Sequence, residues 1–293
     1  MDVIIVLYRS ADCIGDALAS LPAHVGIILV ENLPGDGSVD AALGMRPDAI
    51  VLRPGRNLGF GGACNLAIGR SSAPFLLMLN PDASLATDCL DQLVGHLGAN
   101  PSCGAVGPLV LRSDDGTIDS AGMDVLAPGW TRDRSRGLRE NDAPKPGIVS
   151  CLSAGVLLLR RNALESIGRH PDAFWADLFL YNEDVELSFA LRQGGWELHF
   201  HPRARAFHAV GGSSPPRRPI RAMAARNRLL TGIVHLGWRD LLRPTSLLRW
   251  AWRIAMDTPR LLDNFRLPEL RSALPPLAKQ LPGRRARIRK RVR

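Results

Sequence analysis

The chain has 293 residues, 46% hydrophobic and 22% charged, a globular composition sufficient for one large domain or one domain with a smaller part. Its net charge of +9 is uneven: residues 1–202 carry 15 basic and 24 acidic side chains (net −9), and residues 203–293 carry 22 and 4 (net +18). Five scattered cysteines without a C-x-x-C pair argue against a disulfide framework, and no run approaches the ~20 apolar residues of a membrane-spanning helix.

Taken in chain order, VIIVLY (3–8) is a β-branched apolar run and predicts a buried strand. It begins so early that no room is left for a signal peptide, so a cytoplasmic or peripheral protein is expected. DCIGDALASL (12–21) has helical spacing, GIILVEN (26–32) and DAIVLRP (48–54) read as strands, and GGACNLAIGRS (61–71) as a helix entered from a glycine-rich turn. PFLLMLN (74–80) is a fourth strand, DCLDQLVGHLGAN (88–100) a helix and CGAVGPLVL (103–111) a fifth strand. This alternation predicts an α/β fold, a mostly parallel sheet with helices on both faces. Residues 112–150 read as loops and short strands. CLSAGVLLLRR (151–161) is a second apolar block, and RARAFHAV places His208 at the end of another short strand. From about 221 the pattern is that of interrupted amphipathic helices with basic faces, and the last ten residues, RRARIRKRVR, carry seven basic side chains. Such an end suits an anionic membrane surface. No nucleic-acid motif accompanies it.

In a parallel sheet, ligands bind beyond the carboxyl ends of the strands. Those ends are repeatedly polar here: Tyr8-Arg9-Ser10, Glu31-Asn32 followed by Asp36, the segment RNLGFGGACN, and Asn80-Pro81-Asp82. One acid after a strand also fits a helix cap; four polar ends on one edge point to a site. Pro81 stops the strand and presents Asp82 at the rim, where a carboxylate suits Mg²⁺ or Mn²⁺. GFGGACN permits close backbone approach, yet it is neither the dinucleotide fingerprint nor a Walker loop. Glu183, Asp184 and Glu186 open a helix ending at Gly194-Gly195. They fit first-turn capping, or a general base beside an acceptor hydroxyl. Arg192 lies two turns after Asp184 and could meet a phosphate. His208 could complete a metal site with Asp82.

With these residues assembled, the chain resembles an inverting family 2 glycosyltransferase of the GT-A (Rossmann-like) fold, most closely the bacterial rhamnosyltransferase-like branch. VLYRS, VENLPGDGS, NLGFGGACN, LNPDA, SAGVLLLRR, FLYNEDVELSFALRQGGW and AFHAVGGSS follow one another as that family's motifs do, and RNR (226–228) matches a common follow-on. The resemblance implies a GT-A catalytic domain over 1–220, with a nucleotide-sugar half (about 1–111) and an acceptor half (about 112–220). A helical region (221–283) and a basic tail (284–293) follow. It implies that Tyr8, Glu31 and Asp36 line a nucleoside pocket, and that Asn57, Gly59, Phe60, Gly61 and Asn65 shape the nucleotide-sugar site. Asn80 and Asp82 would serve ribose and metal, with His208 a second ligand. Asp184 would be the catalytic base, Glu183 its partner, and Arg192 a neutraliser of the diphosphate. Glu31 departs from the family's Asp, and Leu33-Pro34-Gly35 from its x-Ser-x, which leaves the nucleotide base open. The implied reaction moves a sugar, with dTDP-rhamnose the favoured donor, to a hydroxyl of a glycan or lipid-linked acceptor of the cell envelope. A polyprenyl-phosphate sugar transferase, a sugar nucleotidyltransferase and a catalytically silent binding protein are the alternatives, and the oligomeric state is open.

Overall fold

The computed structural model describes residues 1–209, 217–235 and 244–266. Its centre is a ten-stranded sheet. The parallel block comprises β1 (Asp2–Leu7), β2 (Gly26–Glu31), β3 (Ile50–Leu52) and β4 (Phe75–Leu79), ordered β3-β2-β1-β4. Beyond β4 lie β11 (Val156–Arg160), antiparallel to it, then β6 (Cys103–Arg112) and β12 (Glu197–His208), parallel to each other, and finally the two-residue β10 (Gly147–Ile148). Two short strands join on the side: β5 (Ala83–Leu85) on β12 and β7 (Ile118–Ser120) on β6. β8 (Met123–Ala127) and β9 (Trp130–Asp133) form a separate hairpin.

Successive side chains of a strand point to opposite faces. Val3, Ile5 and Leu7 therefore enter one core with α1 (Ile14–Ala19), α2 (Ser38–Met45) and α4 (Cys89–Ala99). Ile4 and Val6 enter the other with α3 (Gly59–Arg70), α5 (Arg161–Ser166) and α6 (Glu183–Gln193). Burial on both faces explains the unbroken apolar run. The cysteines are all free, four of them buried.

Two features were not assigned from sequence and one expectation is corrected. α2 lies between two expected strands in a stretch given no element; only Ser38, Val39 and Ala42 of it are buried, so its apolar periodicity is weak. The apolar block 151–161 holds the strand Val156–Arg160, preceded by a connecting segment, 151–155, that reaches the site. The strand ending at His208 is not short: it has twelve residues, nine of which pair with β6 across two register shifts.

Two helices follow, α7 (Arg217–His235) and α8 (Pro244–Arg266), packed on each other. Leu248, Trp252 and Met256 of α8 are 70, 65 and 57% exposed. No helix of the described residues is long and apolar enough to cross a membrane. The basic tail expected over 284–293 lies outside the described residues.

Candidate active site

Strand pairing brings Asp82 and His208 together. Pro81 ends β4 one residue after Asn80, whose N–H bonds the Gly155 carbonyl at 2.8 Å. The chain turns at once into β5, which pairs with β12 so that Ala83 lies opposite His208. Asp82, one residue earlier, thus meets the imidazole: Oδ1 is 3.2 Å from His208 Nε2. On the other side β7 pairs with β6, the neighbour of β12, and brings Asp119 Oδ2 to 2.9 Å from His208 Nδ1. Hydrogen bonds to Asp119 and then Asp82 push His208 up to about 9 against its partial burial. Asp119 is held below the ordinary carboxylate range, chiefly by the bond from His208, with Arg136 2.9 Å away. A small cavity of about 60 Å³ is lined by Asn80, Asp119, Ser153, Gly155 and His208 among others.

This donor set fits a divalent cation. One carboxylate oxygen and one ring nitrogen converge at 3.2 Å, close to the roughly 3 Å between adjacent ligands when metal–ligand bonds are 2.0–2.1 Å. Asp119 on the other ring nitrogen is the usual orienting partner of a ligating histidine. A second group, His96, Cys103 and His199, converges within 4.8 Å. It sits at the starts of β6 and β12, the opposite end of the sheet. Its rings and thiol are engaged with one another, Glu197 and the Ala105 carbonyl.

The acidic pair opens α6. Asp184 accepts from Ala154 N–H at 3.2 Å and Val185 N–H at 2.7 Å. Ala154 and Gly155 therefore tie the pair directly to Asn80 and the carboxylate–histidine cluster. Glu183 is 5% exposed and its Oε2 has no hydrogen-bond partner among the described residues, whereas Asp184 is half-buried. Burial first, and then the Asp184 charge, raises the Glu183 carboxyl. Burial also raises Asp184, with the Val185 and Ala154 amides pulling the other way. Two adjacent carboxyls held above their ordinary range are suited to proton transfer near neutral pH. Glu186, by contrast, is structural, engaged by Arg169 and His235.

The turn before this pair is strained. Phe179, Tyr181 and Asn182 have φ of 68, 67 and 73°, a region non-glycine residues rarely occupy. Asn227 of α7 holds it: its Nδ2 donates to the carbonyls of Leu178, Leu180 and Tyr181 at 2.8–2.9 Å. Arg226 reaches the Leu178 carbonyl, and Asn182 donates to Thr231 at 2.8 Å. The RNR segment is thus a latch on the acidic turn.

The glycine-rich segment approaches this same turn. Gly59 has φ 71°, and a Cβ there would collide with the Phe179 carbonyl, which accepts from Phe60 N–H at 2.7 Å. Gly61 faces Phe174 and Glu183. Asn65 exchanges two 2.9 Å bonds with the Phe174 backbone. Asn57 accepts from Gly59 N–H, and Asn32 from Leu58 N–H. What comes close to these glycines is the chain's own acidic turn.

The remaining expected residues lie apart from the carboxylate cluster. Asp36 bonds the Arg9 and Ser38 amides; those bonds hold it low although burial works to raise it. Tyr8 carries Arg9 5.7 Å over its ring, and Glu31 pairs with Arg53 at 3.5 Å. Arg192 is exposed on the last turn of α6, about 12 Å along the axis from Asp184. The structure does not bring it to the other site residues. Asp119 and Asn227 were not singled out from sequence, and Asn32 was named only as a polar strand end. Asp119 hides in the polar stretch 112–150, and the other two lie within quoted motifs without a role of their own.

The model for glycosyl transferase family 2 matches residues 2–168. The chain belongs to that family. It is an enzyme, a glycosyltransferase. A relative, the N-acetylglucosaminyl-diphospho-decaprenol L-rhamnosyltransferase of Mycobacterium tuberculosis, is 29% identical over 283 residues, spanning 86% of this chain and 89% of its own. Together these make this family 2 member rhamnosyltransferase-like. The fold matches that of GalNAc-T7 with UDP, GalNAc and Mn²⁺ at TM-score 0.59, with 15% identity over 78% of this chain and 47% of that one. It also matches a mannosyltransferase from Pyrobaculum calidifontis in complex with GDP-Man and Mn²⁺ at TM-score 0.56, with 17% identity, 99% and 85%. The architecture is thus GT-A, with the Glu183–Asp184 pair and His208 C-terminal to the segment that the family model covers.

Proposed function

We propose that this family 2 enzyme transfers a sugar, L-rhamnose from dTDP-rhamnose in the first instance, to a hydroxyl of a lipid-linked glycan, with inversion at the anomeric carbon. The observation that carries the mechanism is the half-buried Asp184, raised by burial and one residue from the segment that touches Asn80. The acceptor oxygen attacks the anomeric carbon from the face opposite the nucleoside diphosphate. Asp184 takes the hydroxyl proton as the new C–O bond forms, and the bond to the diphosphate oxygen breaks with its electron pair. Glu183, kept protonated by burial, limits the charge beside the base. Asp82 and His208 would hold Mg²⁺ or Mn²⁺, which supplies charge stabilisation to the leaving diphosphate. The nucleoside would lie at Tyr8, Glu31 and Asp36, with the glycine-rich segment shaping the site by fixing the acidic turn. Rhamnose and the lipid-linked acceptor follow the relative's name, and the exposed apolar side chains of α8 support work at the inner face of a membrane.

Calorimetric titration of dTDP, UDP and GDP, each with and without Mn²⁺, tests the donor half of this reading. One nucleotide should bind in a metal-dependent way, and Asp82→Ala should weaken it at least tenfold. Equal, metal-independent binding by the variant would refute the assignment.

A further inference from the structure

A cleft of about 330 Å³ opens between α7 and α8, lined by Tyr181, Ile220, Arg221, Ala224, Arg228 and Arg260. Three of its six lining residues are arginines. Arg228 and Arg260 both bond the buried Asp257, at 2.8 and 2.6 Å, and Trp130 donates to the same carboxylate at 2.9 Å. Asp257 thereby holds two guanidinium groups from one side while Arg260 keeps half of its side chain exposed. Arg221 is exposed and has no ion-pair partner among the described residues. Two of the three arginines share one carboxylate and the third is unpaired, so these four groups leave an excess of two positive charges at the cleft. Guanidinium forks of this kind match phosphate oxygens.

Two further features say what sort of phosphate fits. Tyr181 belongs both to the cleft and to the strained turn, two residues before Glu183. The cleft thus adjoins the reacting centre. On α8, Leu248, Trp252 and Met256 form a stripe at i, i+4 and i+8 whose next member is Arg260. Residues four apart lie on one face of a helix. An exposed apolar stripe therefore runs into a cationic cleft beside the acidic turn.

We propose that this cleft binds the diphosphate of a prenyl-diphosphate-linked acceptor, with the Leu248–Trp252–Met256 stripe receiving the adjoining apolar chain. The inference rests on the lipid-linked acceptor class proposed above and names its anchoring residues.

The test uses the full chain and farnesyl diphosphate as the probe, with inorganic pyrophosphate and farnesol as its charged and apolar halves. Farnesyl diphosphate should bind more tightly than either half. An Arg221→Ala, Arg260→Ala double variant should weaken it by about tenfold or more, the loss expected for charge-assisted contacts. Trp252→Ala, which removes no charge, should weaken farnesyl diphosphate but not pyrophosphate. Metal-dependent nucleotide binding should be unchanged in all variants. Unaltered farnesyl diphosphate affinity in the double variant, or none in the wild type, overturns the assignment. So does one-for-one displacement by the nucleotide, which would place the diphosphate in the donor site. If phosphatidylglycerol vesicle binding falls in the double variant while farnesyl diphosphate affinity holds, the cleft reads lipid headgroups instead. Persistence of metal-dependent nucleotide binding alongside any such result would spare the glycosyltransfer reading; its loss as well would remove that reading too.

Discussion

At Glu183 a carboxyl is buried among apolar neighbours with a second carboxyl beside it, and both facts disfavour its charge. Its folded pKa is raised, so its contribution to stability is fully present below the unfolded carboxyl range and is lost as pH rises through the folded value. The wild type should therefore lose thermal stability between about pH 5 and pH 9, in the window above the ordinary carboxylate value near 4.3. Glu183→Gln, neutral throughout, should flatten that slope. It should leave the acid limb of kcat/KM in place, because Glu183 is already uncharged where Asp184 ionises. Melting curves across that range check this, and an unchanged slope in the variant would show that Glu183 is not the group concerned. His208 is the companion case: Asp119 and Asp82 hold its ring between them, and only the first of those carboxylates was invisible in the sequence.

At the scale of elements, the turn before Glu183 and Asp184 is clamped by α7 and α3. Asn227 satisfies three carbonyls of a segment whose backbone is otherwise unfavourable. Asn227→Ala should destabilise the fold by about 1–3 kcal/mol, the usual cost of unsatisfied buried polar groups. Turnover should fall more than nucleotide affinity, because the displaced residues are Glu183 and Asp184. Denaturant melts alongside kcat and nucleotide titration check this; wild-type turnover would mean the latch is dispensable. Much of this level was legible beforehand. Apolar runs such as Val3–Leu7 and Phe75–Leu79 announce strands buried on both faces, and Pro81 announces where β4 must stop. Contacts made by distant segments were not legible. Gly59 looks like a glycine making room for a ligand, and its nearest neighbour is the Phe179 carbonyl, 120 residues later. Asp119 meets His208 only because β7 and β12 flank the same strand. Arg192 shares a helical face with Asp184, yet two turns of axial distance separate them.

At the scale of the molecule, charge and apolar exposure divide along the chain. The first 202 residues are net negative and hold the carboxylates; the remainder is net positive and bears the exposed stripe on α8. Basic residues near an anionic surface contribute roughly 1 kcal/mol each and are screened by salt. The protein should therefore float with phosphatidylglycerol vesicles at low ionic strength and leave them at high salt. Trp252→Ala with Met256→Ala should weaken flotation at both. Flotation indifferent to salt and to both substitutions would remove the membrane from the account.

The most direct test of the whole account is transfer itself. Purified protein, Mn²⁺ and dTDP-rhamnose would be mixed with a short-chain N-acetylglucosaminyl-diphospho-prenol, and the product followed by mass and by the anomeric signal in NMR. The account predicts a rhamnosylated product of inverted configuration. It also predicts a fall in kcat of about 10² to 10⁴-fold in Asp184→Asn, with nucleotide affinity retained. Wild-type turnover by Asp184→Asn, or a product of retained configuration, would contradict it.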